Sequence, residues 1–411
     1  MRILLVGCTG FLGKALIYRI LKTTNHTIFL AMRPKNNKNI KERMENILKD
    51  FNLDGYRRRI KPIEVKYDEE RNIRIKQSDM KIVKKSDILV NALADVKFNR
   101  TLRKAVLNNT VTAMKWLELF KTFESPGKYI YVSSAYVNFD IKNEGIIEEK
   151  IYEENMDGGN LIKILAGDQI DFKPYTNTYL YSKQLAEILL LEKREKIKLH
   201  IIRPSTIIPA AKYPYVGWGT IQTLNYIFFG IATGIVPCWN ISIDDIYRYN
   251  INTVPVDIAA KDCIKCFQDP TDFLIRHSCL TGNNEFAITY ELFYMLTLTA
   301  YQYFERHPLR LQDRTFKPYY PFYMKDLSYI KIVFFVLCYI YNCFRGNRRF
   351  FQTLKTSWKL TRNFNTHMPT FVSKKLIFKR KDKQKWFYKN FNAEKSYLSF
   401  IRNIGHFIEK N

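Results

Sequence analysis

Residues 6–16 read VGCTGFLGKAL, and the reading of this stretch decides the fold. It follows an apolar run, RILLV (2–6), and opens an amphipathic one, FLGKALIYRILK (11–22). Gly7, Gly10 and Gly13 give the spacing G-x-x-G-x-x-G. The first glycine permits a tight turn, the second lets backbone approach a pyrophosphate, and the third lets helix and strand pack closely. The helix start then offers free N–H groups and the positive end of its dipole to an anion. A glycine pattern alone is weak. Strand, turn and helix in this order predict a dinucleotide-binding βαβ unit.

Working outward, HTIFLAM (26–32), DILVNAL (87–93), KYIYVSS (128–134) and LHIIRPS (199–205) are short apolar runs that read as strands. Between them lie the helical patterns NIKERMENILKDF (39–51), TLRKAVLNNTVTAMKWLELFKTF (101–123) and residues 176–193. Strands alternating with helices of ten or more residues predict an α/β fold, a Rossmann-type doubly wound parallel sheet. After residue 205 the regular alternation ends. PAAKYPYVGWGTIQTLNYIFFGIATGIVP (209–237) is rich in Gly, Pro and aromatics, as expected of a smaller substrate or lid region. NTVPVD (252–257) returns to a strand-like run before another helix. The expected organisation is a Rossmann domain over 1–268 with substrate-binding insertions at about 140–175 and 205–250. The rest of the substrate region follows at 269–319, then a C-terminal mostly helical domain at 320–411.

With 46% apolar and 15% aromatic residues, the 411-residue chain is globular and long enough for two or three structural units. Its net charge of +27 is uneven: residues 345–411 hold 17 Lys+Arg against 3 Asp+Glu, or +14. Such a tail suits an anionic membrane surface, a polyanionic substrate or nucleic acid; a general lysine bias of the surface is the plainer explanation. No nucleic-acid module accompanies it, which makes nucleic acid the least favoured partner. The uncharged IVFFVLCYIYNCF (332–344) falls short of the roughly 20 residues that cross a bilayer, and reads as a buried or interfacial helix. Seven cysteines form no regular framework. Cys263 and Cys266 lack the further ligands zinc requires, so no metal is expected. MRILLVG enters a strand without the form of a secretory signal, and the chain reads as reduced and cytosol-facing.

The reactive chemistry centres on YTNTYLYSKQLAE (175–187). Residues i and i+4 share a helix face, and of the three tyrosines only Tyr179 has a lysine at that offset, Lys183. An ammonium beside a phenol lowers its pKa from about 10, which makes a general acid usable near neutrality. The lysine can also hold a nicotinamide ribose. The spacing recurs at Tyr18 and Lys22, so context has to decide. YVSSAY (131–136) ends a strand at the carboxyl edge of the sheet, where open α/β sheets bind ligands. Ser134 there can donate to a substrate oxygen while Tyr179 supplies the proton; Ser133 is the adjacent competitor, turned the other way by strand alternation. Asn109 is unfavourable in a helix interior and suits a role in fixing Lys183 through water, with Asn108 beside it as the rival. After AMRPK (31–35), Arg33 stands where an NAD site usually carries an acid, which favours a 2′-phosphate and NADPH.

These segments resemble the fatty acyl-CoA reductases of the extended short-chain dehydrogenase/reductase superfamily. The resemblance rests on GCTGFLGKAL, YVSSAYVN, NTYLYSKQLAE, IIRPSTI and TVPVDIAAKDCI in the family's order, with GWGTIQTL like its Pro-Gly-Trp lid segment, and runs over most of residues 1–310. It implies catalytic Ser134, Tyr179 and Lys183 supported by Asn109. It also implies cofactor contacts from Gly7, Thr9, Gly10, Phe11, Leu12, Gly13, Arg33, Ala94, Tyr179 and Lys183. The implied reaction is NADPH-dependent reduction of a long-chain acyl-CoA to an aldehyde and then a primary alcohol. Peripheral contact with the endoplasmic reticulum or peroxisomal membrane, on its cytosolic face, is expected with it. Departures stand out: in NALADVKF, Leu93 and Asp95 stand where the family tends to small or neutral residues, Asp95 putting a carboxylate near the dinucleotide, and Val216 replaces the proline before Gly217. The alternatives are an extended reductase acting on another lipid such as a sterol, and an inactive dinucleotide-binding scaffold at a membrane. The apolar NYIFFGIATGIV (225–236) suits an alkyl chain better than a nucleotide sugar.

Overall fold

A computed structural model describes residues 1–98, 100–138, 145–152, 159–173, 175–220, 238–239, 250–279, 288–307, 309–311, 314–316, 322–323, 376–378 and 393–404. The apolar segment 225–236 and the uncharged run 332–344 lie outside the described residues.

The core is a seven-stranded sheet of β1 (Arg2–Val6), β2 (Thr27–Met32), β3 (Ile60–Glu64), β4 (Ile88–Asn91), β5 (Lys128–Val132), β6 (Lys198–Pro204) and β7 (Phe273–Ser278). All neighbours pair in parallel in the order β7-β6-β5-β4-β1-β2-β3. The order reverses between β1 and β4, and there the carboxyl ends of the strands open a crevice for a ligand. Helices α1 (Phe11–Thr23), α2 (Ile40–Asp50), α3 (Thr112–Lys121), α4 (Thr178–Lys193), α5 (Val256–Lys265), α6 (Tyr290–Arg306) and α7 (Ala393–Arg402) complete the frame used below. One face of the sheet buries Leu16 and Ile20 of α1 with Ala259 and Cys263 of α5; the other buries Trp116 and Phe120 of α3 with Leu190 of α4.

Two strands escaped the sequence reading. β3 (IKPIE) contains Pro62, which lacks a ladder N–H, yet β3 lies at the sheet edge where such a residue is tolerated. β7 (FLIRHS) is only half apolar and forms the opposite edge. It also places the boundary expected at 268 inside the sheet, because its seventh strand is residues 273–278.

The helix expected over 101–123 is broken into a turn at Leu102–Val106, a π turn at Leu107–Val111, and α3. The wider turn is fastened from outside by Thr110 Oγ1, which donates to Ser182 O at 2.7 Å, and from within by Thr112 Oγ1, which donates to Leu107 O at 2.9 Å. An extra residue inserted this way re-aims its neighbours, and Asn109 is one of them.

The C-terminal helix α7 packs into the same core as α1, with Tyr397, Phe400 and Ile401 buried beside Phe11, Leu12 and Trp218. Contact is made at Gly217, in left-handed backbone at φ +81°. A Cβ there would lie 2.6 Å from Ser399 Cβ and 2.7 Å from Phe400 N, so only glycine fits both the conformation and the space. Ser399 Oγ donates to Val216 O at 2.7 Å, which gives position 216 a main-chain role. On the other side Asp257, in the first turn of α5, accepts the N–H groups of Ala211, Lys212 and Tyr213 at 2.9, 3.0 and 3.2 Å. The 210–218 segment is thereby pinned at both ends.

Candidate active site

The glycine turn sits at the switch point. Gly7 has φ +81°, and a Cβ on it would lie 2.6 Å from the Ala92 carbonyl, so the turn nests against the loop that leaves β4. A Cβ on Gly13 would collide with Gly7 O and lie 2.8 Å from Cys8 C, which explains how closely α1 returns over β1. Gly10 caps α1 without a side-chain hydrogen bond, and no acid occupies the first turn. The first N–H groups therefore remain available to an anion. Thr9 and Gly10 lie at the mouth, whereas Phe11 and Leu12 are buried and can offer the site only their backbone. The Phe11 ring rests on Trp218 at 5.0 Å. Ala94 is exposed on the loop that leaves β4. A free helix start framed by two strand ends at the sheet's reversal fits a dinucleotide pyrophosphate.

Asp95 does not present a bare carboxylate there. Its Oδ2 accepts from Arg100 Nε and from Asn108 Nδ2, both at 2.8 Å. Asn108, the rival to Asn109, is thus committed to Asp95. Asn109 is 2% exposed; its Oδ1 accepts Asp95 N at 2.8 Å, and its Nδ2 donates to Asp95 O at 3.2 Å and Ser182 Oγ at 2.9 Å. It ties the β4 loop to α4 through the residue before Lys183. Among the described residues no direct hydrogen bond joins Asn109 to Lys183.

The sequence places Ser134, Tyr179 and Lys183 on two elements, and the fold brings them together at the carboxyl edge of β5. Asn177 caps α4 by accepting Leu180 N at 3.0 Å, which sets Tyr179 on the first turn. Burial raises the pKa of the Tyr179 phenol well above its ordinary value, and the nearby Ser134 side chain pulls it the other way with less effect. Ser134 Oγ also accepts Tyr136 N at 3.3 Å. Ser133, the alternative, is buried with its hydroxyl making no hydrogen bond.

Lys183 is fully buried, with Nζ donating to Val132 O at 2.6 Å and 4.2 Å from the centre of the Tyr131 ring. Burial lowers its pKa to about 7, against an opposing pull from Glu187. Here the structure departs from the expectation that Lys183 depresses Tyr179: the ammonium is engaged with a strand carbonyl, and what acts on Tyr179 is burial and Ser134. Glu187, one turn beyond Lys183, forms a fully buried fork with Arg203, at 3.0 Å to Nε and 2.5 Å to NH2. Arg203 NH1 donates to Lys150 O at 2.9 Å. A buried pair of this kind fixes geometry more than it adds stability, and it locks α4 onto β6 beneath the lysine. Both members stand in quoted motifs, NTYLYSKQLAE and IIRPSTI, yet nothing in the sequence pairs them.

The other tyrosines have packing roles. Tyr175 donates to Gln184 Oε1 at 2.7 Å and meets Tyr181 edge-on at 5.3 Å. The duplicate pair on α1 is likewise used for packing: Tyr18 lies 5.9 Å from Phe51, and Lys22 Nζ sits 5.0 Å over Tyr56. Arg33 lies apart from the Ser134–Tyr179–Lys183 group, exposed at the end of β2, with its guanidinium 5.9 Å from the Tyr67 ring. Arg43 and Arg71, which the sequence reading passed over, stand near it. Cys263 and Cys266 lie buried on α5, with burial holding both thiols protonated.

Solved structures share this fold at low identity. The terminal R domain of the myxalamid PKS-NRPS biosynthetic pathway superposes with a TM-score of 0.63 at 16% identity, covering 98% of this chain and 90% of the domain. UDP-glucose 4-epimerase from Thermotoga maritima gives 0.56 at 12%, covering 100% and 99%. Among curated proteins, the chain is 27% identical to fatty acyl-CoA reductase 1 of Mus musculus over 334 residues, 75% of this chain and 62% of the mouse protein. A putative fatty acyl-CoA reductase of Drosophila melanogaster is 27% identical over 262 residues, 57% of this chain and 46% of the fly protein. The chain spans 62% and 58% of the mouse and rat reductases it matches. A family model for an NAD-binding domain described as male sterility protein matches residues 5–263. That match takes in the glycine turn, Ser134, Tyr179 and Lys183, and by it the chain belongs to the male sterility protein family.

Proposed function

We propose that the protein reduces long-chain fatty acyl-CoA to the primary alcohol through the aldehyde, using NADPH. The observation that carries this reading is the gathering of Ser134, Tyr179 and Lys183 at the carboxyl edge of β5, with the Ser134 side chain near the Tyr179 phenol and Lys183 Nζ on the Val132 carbonyl. The relatives named fatty acyl-CoA reductase supply the substrate class. Bound NADPH would supply hydride, with the free N–H groups of α1 holding its pyrophosphate and Arg33 favouring the 2′-phosphate.

Ser134 orients the acyl carbonyl by donating to its oxygen. Tyr179 gives its proton to that oxygen as negative charge develops, a transfer that a phenol kept protonated by its surroundings is prepared to make. Collapse of the thiohemiacetal-type adduct expels the CoA thiol and leaves the aldehyde, which the same two hydroxyls receive for the second reduction. Each acyl-CoA consumes two NADPH and two protons and yields one alcohol and one CoA. Lys183, anchored on Val132 O and titrating near neutrality, positions the nicotinamide ribose and replaces the Tyr179 proton. Asn109 holds the β4 loop and α4 in register for this.

The test is incubation of purified protein with NADPH and palmitoyl-CoA, with lipid extraction. Hexadecanol formed with two NADPH consumed per acyl chain is the expected result. NADPH binding without turnover across a range of chain lengths would replace this reading with that of an inactive scaffold.

A further inference from the structure

The loop that leaves β4 is fastened around one residue. Asp95 Oδ2 accepts Arg100 Nε and Asn108 Nδ2, and its Oδ1 accepts Lys97 N at 3.3 Å. Its main chain is held as well: Asn109 Oδ1 accepts Asp95 N, and Asn109 Nδ2 donates to Asp95 O. Asn108 is backed in turn by Arg71, whose guanidinium donates to Asn108 Oδ1. At the far end of the loop Thr178 Oγ1, one residue before Tyr179, donates to the Arg100 carbonyl at 3.0 Å. Charge-assisted bonds are the stronger kind, and the Arg100–Asp95 pair is shielded, with side chains 30% and 16% exposed. The loop is thereby tied at one end to the π turn and at the other to the first turn of α4.

What this fastening delivers is Phe98. Its half-buried ring lies 5.8 Å from the Tyr179 ring, tilted by 53°. Apolar surface continues outward from that contact. Tyr179 packs on the cluster that holds Val106 and Ile164, as do the partly buried Leu102, Leu161 and Leu165. Val96 on the same loop is 58% exposed, and Ile162 on the short helix Asn160–Ala166 is 76% exposed. Single exposed aliphatics are ordinary on a surface; here they flank the proton donor. A phenyl ring takes no part in moving a proton or a hydride. Beside Tyr179 its chemistry is that of a wall for an alkyl group.

We propose that Phe98 is the specificity-determining wall of the acyl site, against which the carbons next to the reacting carbonyl lie, and that Asp95 is the positioning residue that holds it there. The inference rests on the acyl-CoA reading above and adds the residue that gauges the chain. Reach supports it: Tyr179 protonates the carbonyl oxygen, so a group touching the Tyr179 ring stands within a few carbons of the thioester. It also gives a use to Asp95, an acid where the sequence departs from the family pattern. The carboxylate is directed at the loop's own groups and shapes the wall.

The test compares kcat/KM for palmitoyl-CoA and its 2-methyl-branched analogue, with NADPH affinity alongside, in wild-type protein, Phe98→Ala, Phe98→Trp, Asp95→Ala and Asp95→Asn. One methyl group in a closely fitting pocket is worth about 10- to 200-fold in specificity. Phe98→Ala should therefore shift the preference toward the branched thioester by about tenfold or more, with NADPH affinity unchanged. Phe98→Trp should shift it the other way. Asp95→Ala should follow Phe98→Ala by a smaller factor, and Asp95→Asn, which still accepts from Arg100, should recover part of that shift. A merely destabilised protein would lose both thioesters alike. A preference unchanged in both Phe98 variants would overturn the wall, and equal loss on both thioesters in Asp95→Ala would overturn its positioning role. Wild-type protein that reduces neither thioester would sink the acyl-CoA reading itself, and this inference with it.

Discussion

Lys183 is where stability and chemistry oppose each other. Its ammonium is fully buried and titrates at about 7, whereas a lysine in the unfolded chain holds its proton to about 10.4. Between those values the unfolded state binds more protons, so stability rises with pH across that interval, and below it the penalty is fully present. Lys183→Met should therefore stabilise the fold at pH 7 by something on the order of 2 kcal/mol after loss of the Val132 hydrogen bond, and so raise the melting temperature. The advantage should shrink as pH approaches 10. Melting curves from pH 6 to 10 check this; a lower melting temperature at pH 7 with an unchanged pH slope would refute it. The spacing that singles out Tyr179 from Tyr175 and Tyr181 is legible in the sequence because i to i+4 is a local relation. That Lys183 would be held by a carbonyl of β5 is not, since β5 lies some fifty residues away.

Among the elements, those with one clear period could be read directly: β1, β2, β4, β5, β6, α1, α2 and α4. β3, β7 and the π turn were obscured by residues serving a tertiary purpose. Pro62 disguises β3, arginine and histidine disguise β7, and Asn108, Asn109 and Thr110 turn a plain helix into a π turn through bonds to distant groups. The contact of α7 with the 210–218 segment is of the same kind. Val216 breaks the family pattern, yet it is the carbonyl of that residue that receives Ser399. Gly217→Ala should cost about 2–4 kcal/mol, combining left-handed backbone with overlap on Phe400. Because Trp218 carries the Phe11 ring, the variant should also weaken dinucleotide binding. Thermal melts with and without NADPH would show both effects; wild-type stability would mean that α7 does not pack there.

For the molecule as a whole, the α/β class follows from alternating patterns, while the strand order and the position of the C-terminal region do not. Its basic, aromatic composition suggested a separate unit, but α7 completes the core that covers α1 and α5. Removing residues after about 320 would strip that cover, so a truncation cannot report on surface charge alone. The basic tail is better tested by exchanging Lys374, Lys375, Lys379, Arg380 and Lys381 for Gln in the full chain. We expect the unaltered protein to sediment with anionic vesicles at low salt and to be released at high salt, and the exchanged protein not to sediment, at equal melting temperature. Sedimentation unaffected by the exchange would locate the attachment elsewhere.

The account stands most directly on Tyr179 as the proton donor opposite Ser134. The measurement is a single turnover of Tyr179→Phe with excess protein, NADPH and palmitoyl-CoA, beside NADPH binding by the same variant. Phenylalanine keeps the ring against Phe98 and removes only the hydroxyl. The predicted result is a fall in NADPH oxidation of at least about a hundredfold, as loss of a general acid costs, with NADPH affinity within a few-fold of wild type. Oxidation and hexadecanol formation at the wild-type rate would contradict it.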